Sequence, residues 1–292
     1  MSKPIILISA CLEFEQTRYN GQSVPSQIVR DLIPYVDFIK VCPEFSIGLG
    51  VPRSPIRIVM QNGEQRLIQH ETNRDVTEDM IRFTNKFVAE FGTVDGFIFK
   101  SKSPTMGVTN VKVYSGMKGS PAIDRCGGFF ASKIIQKYPG YPVEEDDRLR
   151  NKKIREHFLT QIYLFADYRE SFNNNGIENF HKRNKLLFDF YNEELAKKLE
   201  INDNNYFDLI KLIMNHPPTS EKIVQFFTKL IGKDEDILLK YEDNKAGYET
   251  LKEVSKILIK DKDILNQTFF QPYPISLLLK AEDDRQKNYW KN

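Results

Sequence analysis

Three short stretches of this chain carry side chains able to do chemistry: Ser9-Ala10-Cys11-Leu12, Val41-Cys42-Pro43-Glu44 and Lys100-Ser101-Lys102-Ser103-Pro104-Thr105. A cysteine that loses its proton is a nucleophile or a soft metal ligand. Glu44 puts a carboxylate beside Cys42, suited to general acid–base work. Ser101 and Ser103 add hydroxyls that donate and accept hydrogen bonds. The plain alternative is that each cysteine is a small buried hydrophobe, and the separation of Cys11 from Cys42 matches no metal-ligand spacing. Cys126, in Arg125-Cys126-Gly127-Gly128, is the remaining cysteine of three. An odd count argues against a disulfide framework. His70, His157 and His216 form no metal pattern, and neither a Walker-type loop nor a dinucleotide glycine fingerprint is present.

The elements that must position these residues follow from apolar patterning. Ile5-Ile6-Leu7-Ile8-Ser9 is a continuous apolar run, as in a parallel strand buried on both faces. Residues 26–35 have helical spacing, and Val36–Val41 reads as a second strand that Cys42-Pro43 ends. Ile56–Met60 reads as a third strand. Residues 76–91 read as an amphipathic helix with Gly92 as its C-cap. Gly96–Lys100 is a further buried strand. Alternating strand and helix predict an α/β, parallel-sheet (Rossmann-like), doubly wound N-terminal domain. Cys11, Cys42 and the 101–107 loop then each follow a strand's C-terminal end, the edge where open α/β sheets bind ligands. Beyond residue 128 the pattern turns helical. Phe129–Tyr138 reads as a helix, and Pro142 starts another with acids in its first turn. Residues 151–170, 177–200, 205–214, 220–231 and 247–265 follow suit. The expected division is an α/β domain over 1–145 and an all-α domain over 146–292. Asn173-Asn174-Asn175-Gly176 is the most linker-like point.

At 292 residues with 40% hydrophobic and 28% charged residues, the chain affords a buried core. A net charge of +2 neither demands nor excludes nucleic acid. No apolar run is long enough to span a membrane, and the N-terminus makes a poor signal peptide, so a cytoplasmic protein is expected.

The ordered motifs, together with Arg18-Tyr19-Asn20-Gly21 and Gly48-Leu49-Gly50-Val51-Pro52-Arg53-Ser54-Pro55, resemble the thiouracil desulfidase (TudS) domain over about residues 4–140. The second half resembles the helical, YbgA-like domain fused to it in longer members. That likeness rests on Tyr141–Glu145, Ile154–Leu159, Phe180–Lys185 and Asn266–Pro274. The resemblance implies an iron–sulfur desulfidase. In that family three cysteines hold a [4Fe–4S] cluster whose open iron takes the sulfur of a thiocarbonyl, as in thiouracil. It implies Cys11 and Cys42 as cluster ligands, Glu44 as acid/base, and Ser101 and Ser103 as groups that position the base or water. Fused members are associated with 4-thiouridine in tRNA. One position departs: where the family has its third cysteine, this chain reads Ser103-Pro104-Thr105-Met106-Gly107. Three outcomes stay open. Cys126 supplies the third thiolate, two cysteines hold a labile cluster, or the cluster is absent and the chain is a nucleotide- or RNA-binding relative without activity. For RNA, the candidates are Lys182, Arg183 and Lys185 on a helix, against the plain reading of a solvated charged face. Arg18, Arg53 and Arg57 are candidates to meet phosphate.

Overall fold

The computed structural model describes residues 3–217. The expected helices over 220–231 and 247–265, and the Asn266–Pro274 motif, lie outside the described residues. The chain forms two compact units, Lys3–Phe158 and the part from Leu159 onward, each described by itself below.

The first unit contains β1 (Ile5–Ser9), α1 (Gln27–Leu32), β2 (Asp37–Val41), α2 (Pro43–Ser46), β3 (Ile56–Gln61), β4 (Glu64–Gln69), α3 (Thr77–Glu90), β5 (Gly96–Phe99), β6 (Val111–Tyr114), β7 (Ala122–Cys126), α4 (Phe129–Lys137) and β8 (Val143–Glu145). One sheet has the order β2-β1-β5-β8 and is parallel throughout. Its central strands are apolar because both faces are covered. Ile6, Leu7, Ile8, Phe97, Ile98 and Phe99 are fully buried. Each such side chain contributes about 1.5–3 kcal/mol of transfer free energy. Phe130 of α4 packs against Phe83 and Phe87 of α3, centroids 6.0 and 5.1 Å away.

The single doubly wound sheet expected from the sequence is corrected in two respects. Ile56–Gln61 belongs to a second, mixed sheet of order β4-β3-β6-β7 with its own core of Ile58, Leu67, Val76, Met80, Val111 and Val113. The Asn62-Gly63 turn, both residues at positive φ, folds β4 back on β3, as hairpin turns of this composition do. Residues 143–145 do not begin a helix. They form β8, the edge strand beside β5, where Glu145 accepts the Val108 N–H instead of meeting a helix dipole. Gly92 is not a left-handed cap either. The α3 C-cap is Phe91, in extended conformation.

The second unit holds most of α5 (Lys152–Asn173), then α6 (Ile177–Ala196) and α7 (Tyr206–Ile213). Tyr168 stacks on Phe207 at 4.2 Å. Buried Asn184 donates to the Phe180 carbonyl at 3.0 Å and to Asp167 at 3.1 Å. The Asn174–Gly176 stretch is the turn between α5 and α6. Asn175 takes a left-handed φ of 54° there, and the Gly176 N–H donates to the Ser171 carbonyl.

Candidate functional site

The C-terminal ends of β1, β2 and β5 meet one loop at a cavity of about 420 Å³, a size suited to a small ligand. Cys11 follows β1, and Cys42 is the N-cap of α2 after β2. The Ala10 N–H donates to the Val41 carbonyl at 2.9 Å, so the two cysteines leave neighbouring strand ends. Both line this cavity, as do Glu44, Ser101, Ser103 and Met106. The edge predicted from the sequence does gather these residues.

Glu44 is held on three sides. Thr105 Oγ1 donates to it at 2.8 Å, Cys42 Sγ lies 3.5 Å away, and Arg53 Nη2 lies 4.0 Å away. Arg53 is buried and itself fixed by the Thr17 and Gly50 carbonyls. Ser103 Oγ is 3.1 Å from Thr105 Oγ1, which links it to Glu44 through one hydroxyl. Burial pushes the Cys11 thiol up to about 12, with Cys42 and Glu44 adding to the rise. Burial, then Glu44, also raises Cys42. Thr17 lines the cavity, and its side chain, hydrogen-bonded to Cys42, opposes part of that rise.

Ser101 and Lys100 are placed by a residue the sequence reading took for a helix-terminal acid. Asp146, 5% exposed, accepts the Ser101 N–H at 2.7 Å, and both its oxygens lie 3.0 Å from Lys100 Nζ. The neighbouring Glu145 accepts the Val108 N–H at 2.8 Å. The far side of the loop is pinned to α4. The N–H groups of Gly128, Phe129, Phe130 and Ala131 donate to carbonyls of Pro104, Thr105 and Gly107, partners that a helix start otherwise lacks. A Cβ at Gly128 would meet the Thr105 carbonyl carbon at 2.4 Å, so only glycine permits this approach.

Cys126 is not part of this group. It ends β7, pairs with Val111 and packs against the core of the second sheet. Among the described residues, no three His, Cys, Asp or Glu side chains form a metal-binding group. A [4Fe–4S] cluster is held by thiolates. Here the cavity offers two thiols and the thioether of Met106, which is 2% exposed and packs with Leu7, Phe99 and Phe130. The donor set falls one thiolate short and does not fit a three-cysteine cluster.

The basic helix candidates divide. Lys182 and Lys185 are exposed. Arg183 is engaged within its own unit, with Nε 3.0 Å from Asp167 Oδ2 and Nη2 2.8 Å from Ser171 Oγ. No helix among the described residues is long and apolar enough to cross a membrane.

Residues 6–146 match the family model described as 2-thiouracil desulfurase. The chain is 29% identical over 154 residues to the uncharacterized protein YbbK of Bacillus subtilis (strain 168), a match covering 50% of this chain and 99% of that protein. Among solved structures it is similar to the [4Fe–4S]-dependent thiouracil desulfidase TudS. That likeness has 28% identity and a TM-score of 0.39, and covers 51% of this chain and 94% of the other.

Proposed function

We propose that the 2-thiouracil desulfurase-like domain of this chain binds a thiolated pyrimidine base in the cavity between Cys11, Cys42 and Glu44. One observation carries the reading: the two thiols and the fixed Glu44 carboxylate line a single small cavity. A thiopyrimidine presents ring N–H donors, a carbonyl acceptor and a polarisable sulfur. Glu44, held by Thr105 and Arg53, accepts from a ring N–H. Lys100 and Arg18, which also line the cavity, are the donors toward the oxygen or nitrogen acceptors. The protonated Cys11 thiol is a weak donor toward the thiocarbonyl sulfur. The same base within RNA, as 4-thiouridine in tRNA, is the extension of this reading that exposed Lys182 and Lys185 support.

A second reading, sulfur removal, is favoured by the Glu44 carboxylate standing 3.5 Å from Cys42 Sγ. Water attacks the ring carbon, a C–O bond forms, the C–S bond breaks and hydrosulfide departs. Glu44 accepts the proton of the attacking water. Titration calorimetry with 2-thiouracil and uracil tests the first reading. Saturable binding that weakens in Glu44→Gln supports it, and no binding of 2-thiouracil sinks it. Sulfide release and iron content after anaerobic reconstitution separate the two readings. An iron-free protein that binds without releasing sulfide leaves only the first.

A further inference from the structure

A second cavity, of about 540 Å³, lies beside the base site, with Pro55, Ile56, Lys102 and Pro104 lining both. Its other walls come from the outer face of the mixed sheet. There the strand register makes an unfavourable arrangement. Lys112 of β6 is paired with Arg125 of β7. Ile58 of β3 is aligned with Val113, so one residue back Arg57 falls beside Lys112. Three cations thus sit side by side across three strands, and Lys102 stands at the end nearest the base site. Like charges directly opposed on a sheet destabilise it. No acidic side chain lines the cavity. Among the described residues, none forms an ion pair with these four either. The adjacent acid, Asp124, accepts the Arg125 backbone N–H. Neutral groups orient the row instead: Arg125 Nη1 donates to Asn110 Oδ1 at 2.8 Å and Arg57 Nη1 to the Met117 carbonyl at 3.3 Å. Arg57 Cζ lies 4.5 Å from the Tyr114 ring centroid, which makes a cationic platform.

We propose that this row, Arg57, Lys112 and Arg125 with Lys102, binds the phosphodiester backbone of single-stranded RNA. The spacing of charges along three adjacent strands suits successive phosphates better than one small anion. The arginine stacked on Tyr114 offers an unpaired base a flat partner. Because Lys102 borders both cavities, a strand lying along the row delivers a neighbouring base to the Cys11–Cys42 site. This last point rests on the base-binding reading, whereas the row itself does not.

The test is binding of a fluorescent uridine oligonucleotide to the full chain across a salt series. Three to four phosphate contacts predict a log–log salt slope of about −2 to −3, so a fourfold rise in salt weakens binding about 20–50-fold. The variant Lys112→Glu/Arg125→Glu changes two exposed residues outside the base site. It should bind RNA at least tenfold more weakly, with a slope shallower by about 1.4, while its affinity for free 2-thiouracil stays native. Native-like RNA binding by that variant, or loss confined to Lys182→Glu/Lys185→Glu, overturns the proposal. Absence of salt-dependent RNA binding by the native chain does the same. If free 2-thiouracil fails to bind while RNA binding follows the row, the base-site reading falls and the row stands.

Discussion

Replacing Asp146 by alanine should unfasten the loop that floors the candidate site. Its carboxylate accepts one buried backbone N–H, that of Ser101 at 2.7 Å, and clasps Lys100 Nζ with both oxygens at 3.0 Å. Hydrogen bonds to a charged group contribute about 1.5–3 kcal/mol each. Breaking a buried pair by removing one partner costs about 3–5 kcal/mol. The Lys100 side chain is 22% exposed, so its ammonium regains some water once released. The low end applies, and Asp146→Ala should cost about 3 kcal/mol. For a domain of this size that lowers Tm by about 6–12 °C. Asp146→Asn keeps an acceptor for Ser101 and loses the charge, so it should cost about half as much. Urea unfolding of the full chain followed by circular dichroism measures the global effect. Hydrogen exchange at the Ser101 amide measures the local one, and 2-thiouracil affinity should fall with it. An Asp146→Ala effect under about 0.5 kcal/mol, the range of an uninvolved surface position, would refute the reasoning. So would strict additivity with Lys100→Met, because contacting residues couple.

Four further outcomes are expected. Met106→Cys completes the three-cysteine pattern and should raise iron retained after reconstitution above that of the native chain. It should also cost about 1–2 kcal/mol for the buried volume removed; unchanged iron content would show that the loop misplaces position 106. Gly128→Ala forces a Cβ into the Thr105 carbonyl and should destabilise by about 1–3 kcal/mol, seen as a lower urea midpoint and weaker 2-thiouracil binding. The unfolded chain loses the Cys11 proton near its ordinary value of 9.0, while the native chain keeps it until about 12. Stability is therefore complete below about pH 9 and declines by about 1.4 kcal/mol per pH unit above it, a component that urea titrations should find missing in Cys11→Ser. In the helical unit, Arg183→Ala removes the Asp167 and Ser171 contacts and should cost about 1 kcal/mol, whereas exposed Lys182→Ala should change thermal stability by less than about 0.5 kcal/mol.

The parts of this fold that were legible are those where burial leaves a one-dimensional trace. β1 and β5 are buried on both faces and read as unbroken apolar runs. Their loops, with Cys11 and Ser101, could therefore be placed at one edge before any coordinates. The second sheet left a fainter trace. The Asn62-Gly63 turn was a usable hairpin signal, but β4 mixes Glu64, Gln65 and Arg66 with its apolar residues. β7, Ala122-Ile123-Asp124-Arg125-Cys126, is mostly exposed and shows no core-facing alternation. β8 carries Val143-Glu144-Glu145, which propensity assigns to a helix start, and its place was decided by pairing with β5. The site residues missed from sequence share a cause. Asp146 and Thr105 act through partners distant in the chain, and nothing local marks a carboxylate that will accept an N–H from residue 101. Conversely, Cys126 looked available as a ligand because sequence shows a thiol without showing which side of a strand buries it.

The Lys100–Asp146 clasp also bears on how the site comes into being during synthesis. Cys11, Cys42 and Glu44 leave the ribosome early, with the two strands, β1 and β2, that they follow. The group that anchors Ser101 arrives with the last strand of the unit, beside β5 at the sheet edge. A nascent chain that ends before residue 146 therefore holds both thiols next to a loop fastened at Thr105 but not yet at Ser101. Docking of β8 is the step that brings Asp146 to Ser101 and completes the sheet edge. Domains emerge and fold from the N-terminus onward, so the Ser101 anchor is the last part of this edge to be supplied.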